Sequence, residues 1–239
     1  MQTSTSICIV IPTYNEKSNV VRLIDEIHRT CQGPLTLLFV DDSSPDGTAN
    51  IIKEIATRDP SVKLLLRHTK KGIGSAYKDG FREALAIVDS DVIIQMDADF
   101  QHPPSAVPSL VKAIERGADV AIGSRYLSGG IGVDSNWELQ RRLFSMTVNL
   151  IPRYLLGIGV SDATSGFRAY RREAAEIVAT SSFPMTDGFE FQIGSLRLLR
   201  ENKLVEVPYK FGVRKTGASK LGIPDLFRFI VGVISYSFH

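Results

Sequence analysis

The sequence predicts an α/β domain on a mostly parallel central sheet, and three observations carry that reading. Short, near-continuous apolar runs rich in β-branched residues recur through the first half. The segments between them keep their apolar residues at helical spacing. Strands that are apolar on both faces and alternate with amphipathic helices mean a sheet covered by helices on each side. Finally, most of the expected strands end in polar, turn-forming residues, and open α/β sheets bind ligands outside the carboxyl ends of their strands.

Taken in order, the expected strands are ICIVI (Ile7–Ile11), LTLLFV (Leu35–Val40), VKLLL (Val62–Leu66), VIIQM (Val92–Met96) and VAIG (Val120–Gly123). The helices between them show four stripes: Val20, Leu23, Ile24 and Ile27; Ile51, Ile52 and Ile55; Tyr77, Phe81, Ala84, Leu85 and Val88; and Val107, Leu110, Val111 and Ile114. After Tyr126 the rhythm changes. Leu127–Trp137 reads as a glycine-rich loop, and Leu139–Asp162 begins as a helix that breaks near Pro152. VSDATSGFRAYRR reads as a turn and short strand, followed by a helix with Phe191, Leu196 and Leu199 and by a strand in VEVPYKFGVR. No internal repeat or low-complexity linker divides the chain, so residues 1–239 are expected to form one domain with a specialised second half.

Composition bounds the function. The 239 residues are 44% hydrophobic and 23% charged, an ordinary globular balance. A net charge of +2 supplies no global field for nucleic acid. Cys8 and Cys31 sit in an apolar strand and near a helix end, as small buried hydrophobes of a reducing compartment do. The polar start MQTSTS does not read as a secretory signal, and no apolar run reaches the ~18 residues of a spanning helix.

Chemistry concentrates at the strand ends. DDSSPDGT follows the second strand; Asp46 and Thr48 suit turn formation and helix capping, whereas Asp42 is placed to accept hydrogen bonds from a base or ribose. Asp97 and Asp99 follow the fourth strand, two residues apart, and in an extended segment they would project to one side. With Gln101 they offer oxygen ligands alone, which suits Mg²⁺ or Mn²⁺ better than zinc. The competing reading makes Asp99 a cap for the helix opening at Pro103–Pro104. GIGSA (Gly72–Ala76) lacks the third glycine of a dinucleotide fingerprint and reads as the turn that starts a helix. His102 reads as a supporting rather than a ligating residue. Arg125, Arg214 and Lys220 lie in loops after strands, and Arg141 and Arg142 open the amphipathic segment; such placement suits anion binding, with solvated surface charge as the alternative.

PTYNE, DDSSPDGT, MDADFQHPP, IGSRY, DATSGF and FGVRKTGASKL occur in the same order in polyprenyl-phosphate glycosyltransferases, and the resemblance covers nearly the whole chain. These are inverting family 2 glycosyltransferases of GT-A fold, with a Rossmann-like sheet, and the nearest likeness is to the dolichyl-phosphate mannose synthases. The resemblance implies transfer of mannose from GDP-mannose to a dolichyl or other polyprenyl phosphate, with Mg²⁺ or Mn²⁺. It implies a nucleotide-binding half at 1–125 and an acceptor and membrane-interface half at 126–239. Position by position, Pro12, Tyr14, Glu16, Val40 and Asp42 would hold the guanosine. Asp97, Ala98, Asp99 and Gln101 would hold the metal and diphosphate, and Arg125, Arg214 and Lys220 would surround the phosphates. Of these, Asp97, Asp99, Arg125 and Arg214 would act in catalysis, and Arg141 with Ser145 would bind the acceptor phosphate. Another sugar nucleotide such as UDP-glucose, or an inactive sugar-nucleotide-binding subunit, are the alternatives.

Longer members of the family carry carboxy-terminal transmembrane helices, whereas this sequence ends at His239. The expectation is therefore a peripheral protein on the cytoplasmic face of a membrane, held by its own amphipathic helices or by a separate anchoring subunit. Leu139–Gly157 mixes Arg141, Arg142 and Arg153 with Leu143, Phe144, Met146, Val148, Leu150 and Leu155, a pattern suited to an anionic interface. Packing of those residues into the core is the alternative.

Overall fold

The computed structural model describes residues 4–127, 149, 152–183, 185, 187–188, 190–212 and 231–236. The first half alternates strand and helix as expected: β1 (Ile7–Thr13), α1 (Lys17–Thr30), β2 (Leu35–Asp41), α2 (Thr48–Ala56), β3 (Val62–Leu66), α3 (Ile73–Ile87), β4 (Val92–Gln95), a 3₁₀ turn (Pro104–Ala106), α4 (Val107–Glu115) and β5 (Val120–Ser124). Then come β6 (Arg168–Arg171), α5 (Arg172–Thr180), α6 (Phe191–Leu198) and β7 (Leu204–Pro208). Residues 152–156 and 231–235 are also helical.

The strands form a seven-stranded sheet in the order β3-β2-β1-β4-β6-β5-β7. Pairing is parallel except that β6 runs antiparallel to both of its neighbours, β4 and β5. The parallel strands carry side chains to both faces, which accounts for their unbroken apolar character. Ile7, Ile9, Ile11, Leu37, Phe39, Val92 and Ile94 pack with α1, Ile52 of α2, and α4. Cys8, Val10, Leu38, Val40 and Ile93 point the other way, onto α3, α5 and α6. Gly80 lets α3 lie close to the sheet, because a Cβ there would collide with Val10 Cγ1.

β2 and β3 extend the sheet to one side of β1, and β4 begins the other side. The direction of winding therefore reverses between β1 and β4. In open α/β sheets the ligand crevice lies at this kind of switch point, beyond the carboxyl ends of the strands. The backbone marks the same place. Among the described residues, the non-glycine positions with positive φ are Asn15, Ser43 and Phe100, at 61°, 53° and 66°. They lie in the loops that follow β1, β2 and β4. Such conformations are uncommon for side chains with a Cβ and tend to collect at functional sites.

Candidate functional site

The loop after β4 differs from its expected geometry. The strand stops at Gln95, and Asp97, Ala98 and Asp99 form a turn rather than an extended segment. Phe100 closes that turn with its positive φ. Strand alternation therefore cannot be what aligns the two carboxylates. Burial first, then the charges of Asp97 and Asp99, push the pKa of the Tyr77 hydroxyl well above its ordinary value. The hydroxyl remains protonated and donates to Asp97 Oδ1 at 2.6 Å.

Asp99 accepts a hydrogen bond from the Gln101 backbone N–H at 3.0 Å and is buried. That bond closes the turn ahead of the 3₁₀ segment; neither that segment nor the helix that follows it has a side-chain cap, so Asp99 does not cap either. The Asp97 side chain retains 29% of its exposure. The Asp97 N–H donates to Nδ1 of the buried His102 at 2.9 Å, and the imidazole stacks on Phe167. Nδ1 is therefore an acceptor, so its 3.7 Å approach to Asp97 Oδ2 is not an ion pair. His102 is a supporting residue, as its sequence context suggested. The Ala98 methyl packs into the core, and so does the Val40 side chain.

A divalent cation fits this donor set in a particular way. Asp97, Asp99 and the half-buried Gln101 supply oxygen donors beyond the carboxyl end of β4. Among the described residues no group of three His, Cys, Asp or Glu could hold an ion unaided. Two protein carboxylates with the remaining ligands drawn from substrate phosphate is how Mg²⁺-type sites are commonly built. The thiols are unsuited to metal binding, because burial pushes Cys8 up to about 12 and Cys31 up to about 11.

The β2 end separates the roles of three acids. Asp41 is fully buried and accepts from Thr13 Oγ1 at 2.7 Å and from the Ser44 N–H and hydroxyl, so it ties two strand ends together. Asp46 accepts from the Thr48 N–H and Oγ1 and from the Lys17 N–H, serving the first turns of both α2 and α1. Asp42 requires a correction to the simple picture of a waiting acceptor. Arg67 grips it in a fork, Nε to Oδ1 at 2.6 Å and Nη2 to Oδ2 at 3.0 Å, with both side chains buried. Arg67 also reaches Ser75 and Asp79 of α3. Asp42 retains acceptor capacity beyond this fork, but Arg67 sets its orientation.

Pro12 lies in β1 opposite Val40. Tyr14 follows in the β1 loop, with Lys70 Nζ 3.7 Å from its ring centroid. Glu16 stands at the N-cap of α1 and accepts from Asn19 Nδ2 at 2.7 Å. These residues share the switch-point edge with Asp42, Asp97 and Asp99.

Arg125 is likewise paired inside the protein. Its guanidinium meets the fully buried Asp162 in a fork, Nε to Oδ2 at 2.8 Å and Nη2 to Oδ1 at 2.7 Å, and adds Thr164 Oγ1. Burial alone would lower its pKa; the Asp162 charge and hydrogen bonds overcome that and hold it above the ordinary arginine value. Tyr126 and Phe211 flank the cation, each ring centroid 5.5 Å away. The side chain is a strut between β5 and the DATSGF loop, with its charge matched inside the protein. Arg141, Arg142, Ser145, Arg214 and Lys220 lie outside the described residues.

Sequence reading passed over Arg67, Tyr77 and Asp162. Tyr77 stood in a core stripe, and nothing local distinguishes a phenol that packs from one that also donates. Asp162 opens DATSGF, a segment noted for its resemblance but given no role.

The chain belongs to glycosyl transferase family 2, whose model matches residues 8–178. It is 41% identical over 216 residues to the polyprenol monophosphomannose synthase of Mycolicibacterium smegmatis, covering 89% of this chain and 80% of that protein. It is 38% identical over 227 residues to the dolichol-phosphate mannosyltransferase of Pyrococcus furiosus, covering 94% of this chain and 61% of the relative. The fold matches glucosyl-3-phosphoglycerate synthase from Mycobacterium tuberculosis, solved with Mn²⁺, UDP-glucose and phosphoglyceric acid. The TM-score is 0.68 at 21% identity, over 98% of this chain and 80% of that one. The fold is thus of the GT-A type that the sequence motifs implied.

Proposed function

We propose that this chain transfers mannose from GDP-mannose to a dolichyl or other polyprenyl phosphate, with inversion, assisted by Mg²⁺ or Mn²⁺ at Asp97, Asp99 and Gln101. The observation that carries the reading is the Asp97–Asp99 turn at the switch point of the sheet, in a chain whose relatives bear mannosyltransferase names. The β1 and β2 loops, with Tyr14, Glu16 and Asp42, would take the nucleoside. When bound, the cation would stabilise charge developing on the departing diphosphate. Arg214 and Lys220 are proposed to share that task, and Arg141 with Ser145 to hold the acceptor headgroup. A phosphate monoester with a second pKa near ~6 is largely ionised at neutral pH, so the nucleophile needs no strong general base. The residues' main work is then to orient two anions against their mutual repulsion.

The test is an assay of purified protein with a panel of labelled sugar nucleotides and a polyprenyl phosphate. Mannosyl-phosphate lipid should form from GDP-mannose, and EDTA should abolish it. Equal or better transfer from UDP-glucose would overturn the choice of donor.

The polyprenyl tail must stay in lipid, so we propose a peripheral site on the cytoplasmic face of a membrane, with an anchoring subunit as a further means of attachment. Among the described residues no helix is long and apolar enough to cross a bilayer. Tyr154 and Leu155 are 80% and 52% exposed beside Arg153, which supports an interfacial rather than a core role for that end of Leu139–Gly157. Changing Tyr154 and Leu155 together to Ser should weaken co-sedimentation with anionic vesicles severalfold. Unchanged co-sedimentation would remove this surface from membrane contact.

A further inference from the structure

We infer that Tyr77 is a positioning residue for the cation site, fixing the orientation of the Asp97 carboxylate through a hydrogen bond to one of its oxygens. The inference rests on the reading of Asp97 and Asp99 as cation ligands.

Tyr77 is not part of the strand-end loops. It stands on α3, fully buried, and its hydroxyl reaches across to Asp97 Oδ1 at 2.6 Å. Core packing alone would be met by phenylalanine; a buried phenol needs a hydrogen-bond partner, and here that partner is a candidate ligand. The ring has little freedom to move. It stacks on Phe191 of α6, with centroids 6.3 Å apart and planes 15° from parallel. The first turn of α3 is pinned as well, because the Gly74 N–H donates to the Asp187 carbonyl at 2.9 Å. Gly72 permits that approach, since a Cβ there would collide with the same oxygen.

Asp97 is thus held from two directions. His102 takes its backbone N–H, and Tyr77 takes one carboxylate oxygen. The hydrogen bond to Oδ1 fixes the rotation of the carboxylate about its side-chain bond. Outer groups that orient ligands commonly change metal affinity by ~10–100-fold when removed. Loss of the hydroxyl would also make the carboxylate more basic, which works toward tighter binding. For a ligand on a turn, we expect loss of orientation to dominate.

The experiment measures Mn²⁺ binding in the presence of GDP, by the electron paramagnetic resonance signal of free Mn²⁺. Wild type, Tyr77→Phe and Asp97→Asn are compared, with thermal melts recorded in EDTA. Tyr77→Phe should melt close to wild type and raise the Mn²⁺ Kd about tenfold, while Asp97→Asn should lose binding. A Tyr77→Phe Kd within twofold of wild type, or a tighter one, overturns the inference and leaves the cation reading standing. Wild-type binding by Asp97→Asn overturns both. Should Tyr77→Phe fail to fold, Phe191→Leu decides: it keeps the hydroxyl but removes the wall behind the ring. A Kd raised severalfold supports the inference, and an unchanged Kd overturns it.

Discussion

Asp99→Asn should reduce transfer by two to three orders of magnitude while leaving the fold intact. The amide oxygen can still accept from the Gln101 N–H, so the turn that Asp99 closes is kept. Only the negative charge is lost. If a cation sits between this turn and the donor diphosphate, that charge both holds the ion and places it where the leaving group becomes anionic. Removing one preorganised electrostatic contact of this kind costs ~10²–10³ in kcat. Alanine would be a poorer test, since it would also remove the turn's acceptor. Steady-state kinetics should show the loss in kcat, and raising Mn²⁺ should restore it only in part. Turnover near wild type would exclude Asp99 from the chemistry and leave it as a turn residue.

The fold was legible because most of it is written locally. Val20, Leu23, Ile24 and Ile27 are all buried, as are Val107, Leu110, Val111 and Ile114, while the stripes of α2 and α3 are buried in part. Val62–Leu66 is the strand that its apolar run announced. β6 was harder. Its antiparallel insertion between β4 and β5 has no local signature, and RAYR begins with an arginine that is fully buried among neutral acceptors.

The same limit governs the site. Asp97 and Asp99 could be found because they stand directly beyond a strand. The partners of Asp42 and Arg125 could not, because Arg67 and Asp162 lie 25 and 37 residues away in sequence. A charged residue at a strand end looks alike whether it awaits a substrate or is already paired. Only the tertiary contact tells them apart, and here it joins Arg125 to Asp162 and Asp42 to Arg67.

Asp162→Ala is therefore expected to destabilise the protein severely. The fully buried Asp162 carboxylate accepts from the Arg125 backbone N–H, Nε and Nη2, at 2.9, 2.8 and 2.7 Å. Its own backbone is tied to Glu206 of β7 through the Asp162 N–H, beside two further bonds from Ser161 to the same carboxylate. Removing Asp162 leaves a guanidinium pressed between Tyr126 and Phe211 without its counter-charge. Breaking one member of such a buried pair costs about 3–5 kcal/mol. Denaturant unfolding should show a large fall in midpoint with little change in slope. Arg125→Met should cost comparably alone, since it strands the carboxylate. Combining Arg125→Met with Asp162→Leu should recover part of the loss, because two apolar residues leave no charge unpaired. If Arg125 instead served the donor phosphates and only rested on Asp162, Asp162→Ala would fold nearly as well as wild type. Its defect would then appear in the donor KM, not in the unfolding midpoint.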